Sequence, residues 1–237
     1  MTLESDPRSS NGFLAALTAD EFELIRPHLR SVDLIQEHIL VGVGEAMNRA
    51  YFPHCGVISL VVDLTKGEHV QIAMIGRDSV FGVFSALGES IALNRAVVLV
   101  PGVASTIDID HLRAAAERSA TFRARLVRHG LAIYAQIQQT AGCNASHTVE
   151  ARLARSLLQI HDLSGGCELL LTQEAMAQML GARRNSVSLV AHMLQQANVI
   201  HYSRGHVRIT NLDGLIKTSC ECYASVKGQY DRLLGRP

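Results

Sequence analysis

Residues 171–209 read LTQEAMAQMLGARRNSVSLVAHMLQQANVIHYSRGHVRI. Apolar side chains recur at Ala175, Met176, Met179 and Leu180, and again at Val187, Val190, Ala191 and Leu194. Steps of three and four make each set one face of a short helix. Gly181 between them suits a helix C-cap and the tight turn of a helix-turn-helix. Thr172, with Glu174 in the first turn, marks the start of the first helix, where a hydroxyl caps and a carboxylate meets the helix dipole. The second helix opens with Arg183, Arg184, Asn185 and Ser186 and carries no acidic residue through Asn198. Arginine and asparagine make bidentate contacts to guanine and adenine edges in the major groove. Residues 199–202 and 206–210 then read as two short strands around Ser203, Arg204 and Gly205, which is a wing.

Charge agrees with a reading head. From Thr172 to Thr210 there are four arginines (183, 184, 204 and 208) and one acid, Glu174, in a chain of zero formal net charge. Such a local excess neutralises phosphates, while overall neutrality excludes a protein that coats nucleic acid indiscriminately. A helical hairpin with a solvated basic turn is the plainer alternative, and it leaves the wing unexplained.

Upstream, the texture is β-rich. Runs at 32–35, 39–43, 50–52, 57–64, 70–75, 96–100 and 104–109 are separated by GVGE, PHCG, TKGE and PG turns. Many short strands with regular turn signals predict a sandwich or β-roll. DLTKGEHVQ reads as a hairpin. Residues 1–12 read as loose and polar, and 18–29 as a helix capped by Thr18, weakened beyond two turns by Pro27. A glycine-flanked turn at Gly82 with Arg95 downstream offers backbone N–H groups and a countercharge to an anion. A connecting helix with a surface arginine is the competing reading.

A proline-free segment from about 119 to 143 predicts a helix of more than twenty residues. Phe122, Leu126, Ile133, Ile137 and Thr140 recur at helical steps, with His129 and Gly130 in the same seam. That narrow stripe reads as a dimer interface, Gly130 admitting the partner backbone, against the alternative of packing on its own domain. Residues 148–161 form a further amphipathic helix, and LSGGCE at 163–168 breaks the chain before the helix-turn-helix. Residues 212–233 keep one helical stripe that caps the DNA-binding unit.

The order of β-roll, long helix and winged helix-turn-helix resembles the Crp/Fnr family of bacterial transcription regulators over residues 15–212, most closely at 172–200. The fold class is α+β: a β-roll sensor at 1–117, a dimerisation helix at 118–147, and a winged helix-turn-helix with a C-terminal helix at 148–237. The resemblance implies that Thr172 touches a phosphate and that Arg184 takes the place of a guanine-reading arginine. Asn185 replaces a cytosine-reading glutamate. Ser188 and Leu189 follow on the groove-facing side, Leu189 where a second arginine is common. Arg183, Ser203 and Arg204 are candidates for backbone contacts. Double-stranded DNA, a second copy of the chain and RNA polymerase are the partners so implied.

The sensor departs from the pattern. Phe81-Gly82-Val83 lacks the glutamate of the cyclic-nucleotide cassette, and Arg95-Ala96 lacks its serine. A ribose hydroxyl buried against valine costs about 1–3 kcal/mol, so cyclic AMP is not expected as ligand, and the effector, with Gly82 and Arg95 as its candidate residues, is unnamed. A cyclic-nucleotide-binding module acting on a protein partner is the alternative function, which the basic head disfavours. Five cysteines (55, 143, 167, 220 and 222) at irregular spacings read as reduced thiols of a cytoplasmic protein. With no CxxC, and Cys220 and Cys222 pointing about 200° apart on one expected helix, no metal or cofactor is expected. No nucleophile elbow, P-loop or zinc-hydrolase spacing is present, so the protein does not read as an enzyme. No apolar run is long enough for a membrane span, and MTLESDPRSSNGF carries no export signal.

Overall fold

The computed structural model describes residues 7–65, 68–88, 90–164 and 169–235. The expected turn at 66–67 and the break at 165–168 lie outside the described residues. Three short helices come first: α1 (Pro7–Ser10), α2 (Gly12–Ala15) and α3 (Ala19–Glu23). Residues 7–12 are not loose, as the polar reading expected. Asn11 is buried because its side chain holds four backbone groups: Nδ2 donates to Pro53 O and Ser79 O, and Oδ1 accepts from the Phe13 and Leu14 N–H groups. Helix α3 has the expected capping box, with Thr18 and Glu21 bonding each other's backbone N–H. It ends at Glu23 rather than continuing to 29. Pro27 lies in a separate 3-10 turn, Arg26–His28, since it has no N–H for an α-helical interior.

The seven expected strands form: β1 (Arg30–Leu34), β2 (Ile39–Val41), β3 (Arg49–Pro53), β4 (Val57–Asp63), β5 (His69–Ile75), β6 (Arg95–Val100) and β7 (Gly102–Asp108). They make two antiparallel sheets, ordered β1-β7-β3 and β2-β6-β4-β5. The hairpin expected from DLTKGEHVQ is β4 against β5, with Asp63 opposite His69. Alternation along β6 sends Ala96 and Val98 into the roll and Arg95 and Val97 to the opposite face. The core between the sheets centres on Phe13, Phe52 and Phe122, with ring centroids 5.6 Å and 5.8 Å from Phe13.

Helix α4 (Val83–Leu87) follows β5, and α5 (Ile109–Arg118) follows β7. The long helix α6 (Ala120–Ser146) has 27 residues, about 40 Å of rise. Its stripe corrects the sequence reading. Phe122, Leu126, His129, Gly130 and Ile133 are buried inside the chain, and Ile137 packs on the same core. They face the chain's own β-roll because that roll has an open apolar side needing cover. His129 Nδ1 lies 3.1 Å from Ser79 Oγ, and a Cβ on Gly130 would stand 3.1 Å from the Phe84 ring. Gly130 thus admits α4, not a partner backbone. Gln136 accepts from Met74 N–H and donates to Met74 O, fastening α6 to β5.

A second core joins α7 (Val149–Ser164), β8 (Leu169–Leu170), α8 (Gln173–Leu180), α9 (Arg184–Gln196), β9 (Ile200–Ser203) and β10 (His206–Ile209). The last stripe is not one helix. It divides into α10 (Leu212–Thr218) and α11 (Cys222–Leu234), and α11 packs along α6 through Val226 and Tyr230 against Ala132.

Candidate nucleic-acid interface

Helices α8 and α9 form the expected pair. Thr172 caps α8, its Oγ1 accepting from Ala175 N–H at 3.0 Å. Gly181 ends α8 in the left-handed region at φ 55°, which glycine adopts without a Cβ penalty. The buried Arg152 donates to Leu180 O, placing a cation at the negative end of α8. Helix α9 buries Val187, Val190, Ala191 and Leu194 and turns its other face outward.

That outward face carries the candidates. Arg183, Arg184 and Asn185 are exposed at its N-terminus, and Leu189 is 62% exposed one turn further on. Ser188 is only half-buried and donates to Gln173 Oε1 at 2.6 Å, so it also fixes α9 against α8. His192 and Met193 continue the exposed face. The sequence reading missed them, although they follow Leu189 at helical steps, because it sorted α9 by its buried stripe.

The wing is a two-residue hairpin. Ser203 pairs with His206, and between them Arg204 and Gly205 have φ of 49° and 83°. Positive φ at both central residues is what a hairpin turn matching the strand twist requires. Ser203 and Arg204 are exposed beside Thr172, whose Cγ2 would lie 3.6 Å from a Cβ on Gly205. Leu171 N–H also donates to Gly205 O at 2.7 Å. Wing tip and the start of α8 therefore lie side by side, with Arg204 exposed at the tip.

The two effector candidates are not brought together. Gly82 lines an apolar cavity of about 610 Å³ between the roll and α6, with Leu60, Val83, Phe84, Leu93 and Ile133 among its walls. Arg95 lies on the other face of β6, its Nη2 2.8 Å from Asp63 Oδ1. Strand alternation separates them, because Ala96, not Arg95, points inward.

The expectation that Cys220 and Cys222 diverge also fails. Cys220 lies in the break after α10 and Cys222 opens α11, so they do not share one helix, and both reach Cys143 and His147 at the end of α6. Burial pushes the Cys143 thiol up to about 12.

Comparison with known proteins agrees with this geometry. Residues 151–218 match a Crp-like helix-turn-helix domain. The fold is similar to FixK2 from Bradyrhizobium japonicum, at TM-score 0.68 and 15% identity over 81% of this chain and 98% of that one. It is similar to a Crp-family transcriptional regulator from Thermus thermophilus, at TM-score 0.65 and 18% identity over 79% and 96%. The c-di-GMP-responsive global regulator CLP of Xanthomonas campestris matches at TM-score 0.62 and 15% identity over 81% and 99%. No curated protein matches the chain in sequence.

Proposed function

With residues 151–218 matching a Crp-like helix-turn-helix domain and 79–81% of the chain aligning with FixK2 and the Thermus thermophilus Crp-family regulator, we propose that this protein is a homodimeric, sequence-specific regulator of transcription. The observation that carries the reading is the exposed start of α9. Arg183, Arg184 and Asn185 face solvent with no acidic residue on their helix, and the wing adds the exposed Arg204 and Arg208. Arg184 and Asn185 read base edges, Leu189 packs against a thymine methyl, and Arg183, Ser203, Arg204 and Thr172 hold phosphates.

The dimer seam is a different stripe of α6 from the one read in the sequence. Ala124, Val127, Leu131, Tyr134, Gln138, Ala141 and Ala145 are all exposed along α6, Tyr134 also lining the cavity beside the roll. Their steps of three and four make a heptad seam along the whole helix, and Val127, Leu131 and Tyr134 are 44%, 49% and 55% exposed. A partner helix on that stripe places two reading heads on successive major grooves, about 34 Å apart.

Cyclic AMP is not the expected signal. The cavity wall offers valine at 83 and no cation, and Arg95 is committed to Asp63. Calorimetry with cyclic AMP is expected to show no saturable heat, and micromolar binding would overturn this part of the reading.

The test of the main claim is Arg184→Ala. Loss of one bidentate guanine contact costs about 1–3 kcal/mol of specific binding and leaves the fold intact. Equal affinity of wild type and variant for the site selected from genomic fragments would remove α9 as the reading element.

A further inference from the structure

Cys143 and His147 stand one turn apart at the end of α6, where His147 is the C-cap and donates its N–H to Cys143 O. Cys220 and Cys222 flank Glu221, Cys220 in the break after α10 and Cys222 at the first position of α11. One ligand atom from each of the four lies within 4.8 Å of the others. Cys143 Sγ is 3.6 Å from Cys220 Sγ, and Cys222 Sγ is 3.7 Å from His147 Nδ1. A tetrahedral zinc ion with ordinary bond lengths sets S···S at about 3.8 Å and S···N at about 3.6 Å. All three sulfurs are buried, and His147 is half-buried.

The surroundings are those of a metal centre. His147 Nε2 lies 3.2 Å from Glu221 Oε1, the outer carboxylate that orients a ligating imidazole. Gln139 Nε2 donates to Cys222 Sγ at 3.0 Å. Arg152 and Arg155 are buried on α7, each with an Nε that has no hydrogen-bond partner; their other nitrogens donate to neutral oxygens, of Leu180 and Gln159. Arg155 is close enough to Cys143 to act on its charge. Three thiolates around a divalent ion leave one net negative charge, which these guanidinium groups balance.

We propose that Cys143, His147, Cys220 and Cys222 bind one zinc(II) ion tetrahedrally. On binding, the three thiols release their protons and the ion takes their place. Three sulfurs and an imidazole select zinc over oxygen-seeking cations, and four ligand atoms this close surround one ion, not a multi-iron cluster. The site ties the end of the long helix, at the Ser146–Thr148 link into α7, to the segment that follows the wing.

The proposal needs no DNA and is tested without it. The full chain, reduced and stripped with chelator, is titrated with zinc(II) and separately with cobalt(II). One ion per chain is expected, with the intense visible bands of tetrahedral cobalt and thiolate-to-cobalt charge transfer, and with zinc shielding three thiols from a thiol reagent. Cys222→Ser and His147→Ala weaken zinc binding more than a hundredfold, Glu221→Gln weakens it about tenfold, and Cys55→Ser leaves it unchanged. Hydrogen exchange at residues 144–150 slows when zinc is added. Wild-type protein without stoichiometric uptake, or with the weak spectrum of octahedral cobalt, overturns the proposal whether or not the variants fold. So does a Cys143–Cys220 disulfide in protein that takes up no zinc after reduction.

Discussion

Arg204 holds a left-handed backbone that few non-glycine residues adopt, and it does so at the wing tip where a phosphate contact is expected. Arg204→Gly separates the two roles. Backbone strain falls, so the melting temperature holds or rises slightly. Affinity for every DNA sequence falls alike, and the salt dependence of binding loses about one unit of slope. A loss confined to one base position would instead make Arg204 a base reader. His54 governs a pH response. Burial holds its imidazole below the ordinary 6.5, Nε2 shares a hydrogen bond with Ser105 at 2.8 Å, and Nδ1 is buried without a partner. The unfolded chain takes up a proton at that ordinary value and the folded chain does not. Stability is therefore full above it and declines as pH falls below it, until the folded imidazole titrates too. Denaturation midpoints at about pH 7.5 and about pH 5.5 are expected to differ less in His54→Gln than in wild type.

At the scale of elements, α6 carries a buried stripe and an exposed stripe proposed as the dimer seam, and a pair of substitutions tests the division. Phe122→Ala empties a fully buried ring site and destabilises the chain by about 3–5 kcal/mol without altering the dimer contact. Leu131→Glu leaves the fold stable and splits the dimer, read by sedimentation. The reverse pattern would restore the stripe first read from the sequence. Periodicity showed that α6 was amphipathic, but two adjacent stripes both keep steps of three and four. Only the position of the roll decides which is inside. The strands were readable because alternation and turn residues act locally. The reading head was readable because its glycine, its basic start and its wing are contiguous. The thiol cluster was not, since Cys143 and Cys220 lie far apart in the chain and Ser219–Glu221 breaks a stripe that reads as continuous. Arg95 was misplaced for a smaller reason: one step along a strand reverses the face.

The helix-turn-helix unit is docked on the β-roll, and the proposed regulation depends on how firmly. Arg77 N–H donates to Leu163 O at 3.1 Å, Gly56 N–H to Ser164 O at 3.3 Å, and Gln36 Nε2 to Leu170 O at 2.8 Å. Val57, Met74 and Val100 of the roll enter the core of the head. Arg183 and Arg184 line a cleft with Leu64 and Glu68 of the β4–β5 hairpin, so the start of α9 lies beside an acidic strand end. Any signal in the roll that moves this hairpin changes the space that DNA must enter. Gly76 is the tightest point of the docking. A Cβ there would stand 2.6 Å from both the carbonyl oxygen and the Cβ of Leu163, and a helix end cannot yield that much alone. Gly76→Ala is expected to weaken the docking by about 1–3 kcal/mol. The single unfolding transition divides, the radius of gyration rises, and specific DNA affinity changes although no DNA-facing residue has. Gly228→Ala in α11, where a new Cβ meets nothing within 4 Å, serves as the control and raises helix stability by up to about 1 kcal/mol. If Gly76→Ala leaves the scattering profile and the DNA affinity where Gly228→Ala leaves them, the sensor and the head are not coupled through this contact, and regulation must run through α6 alone.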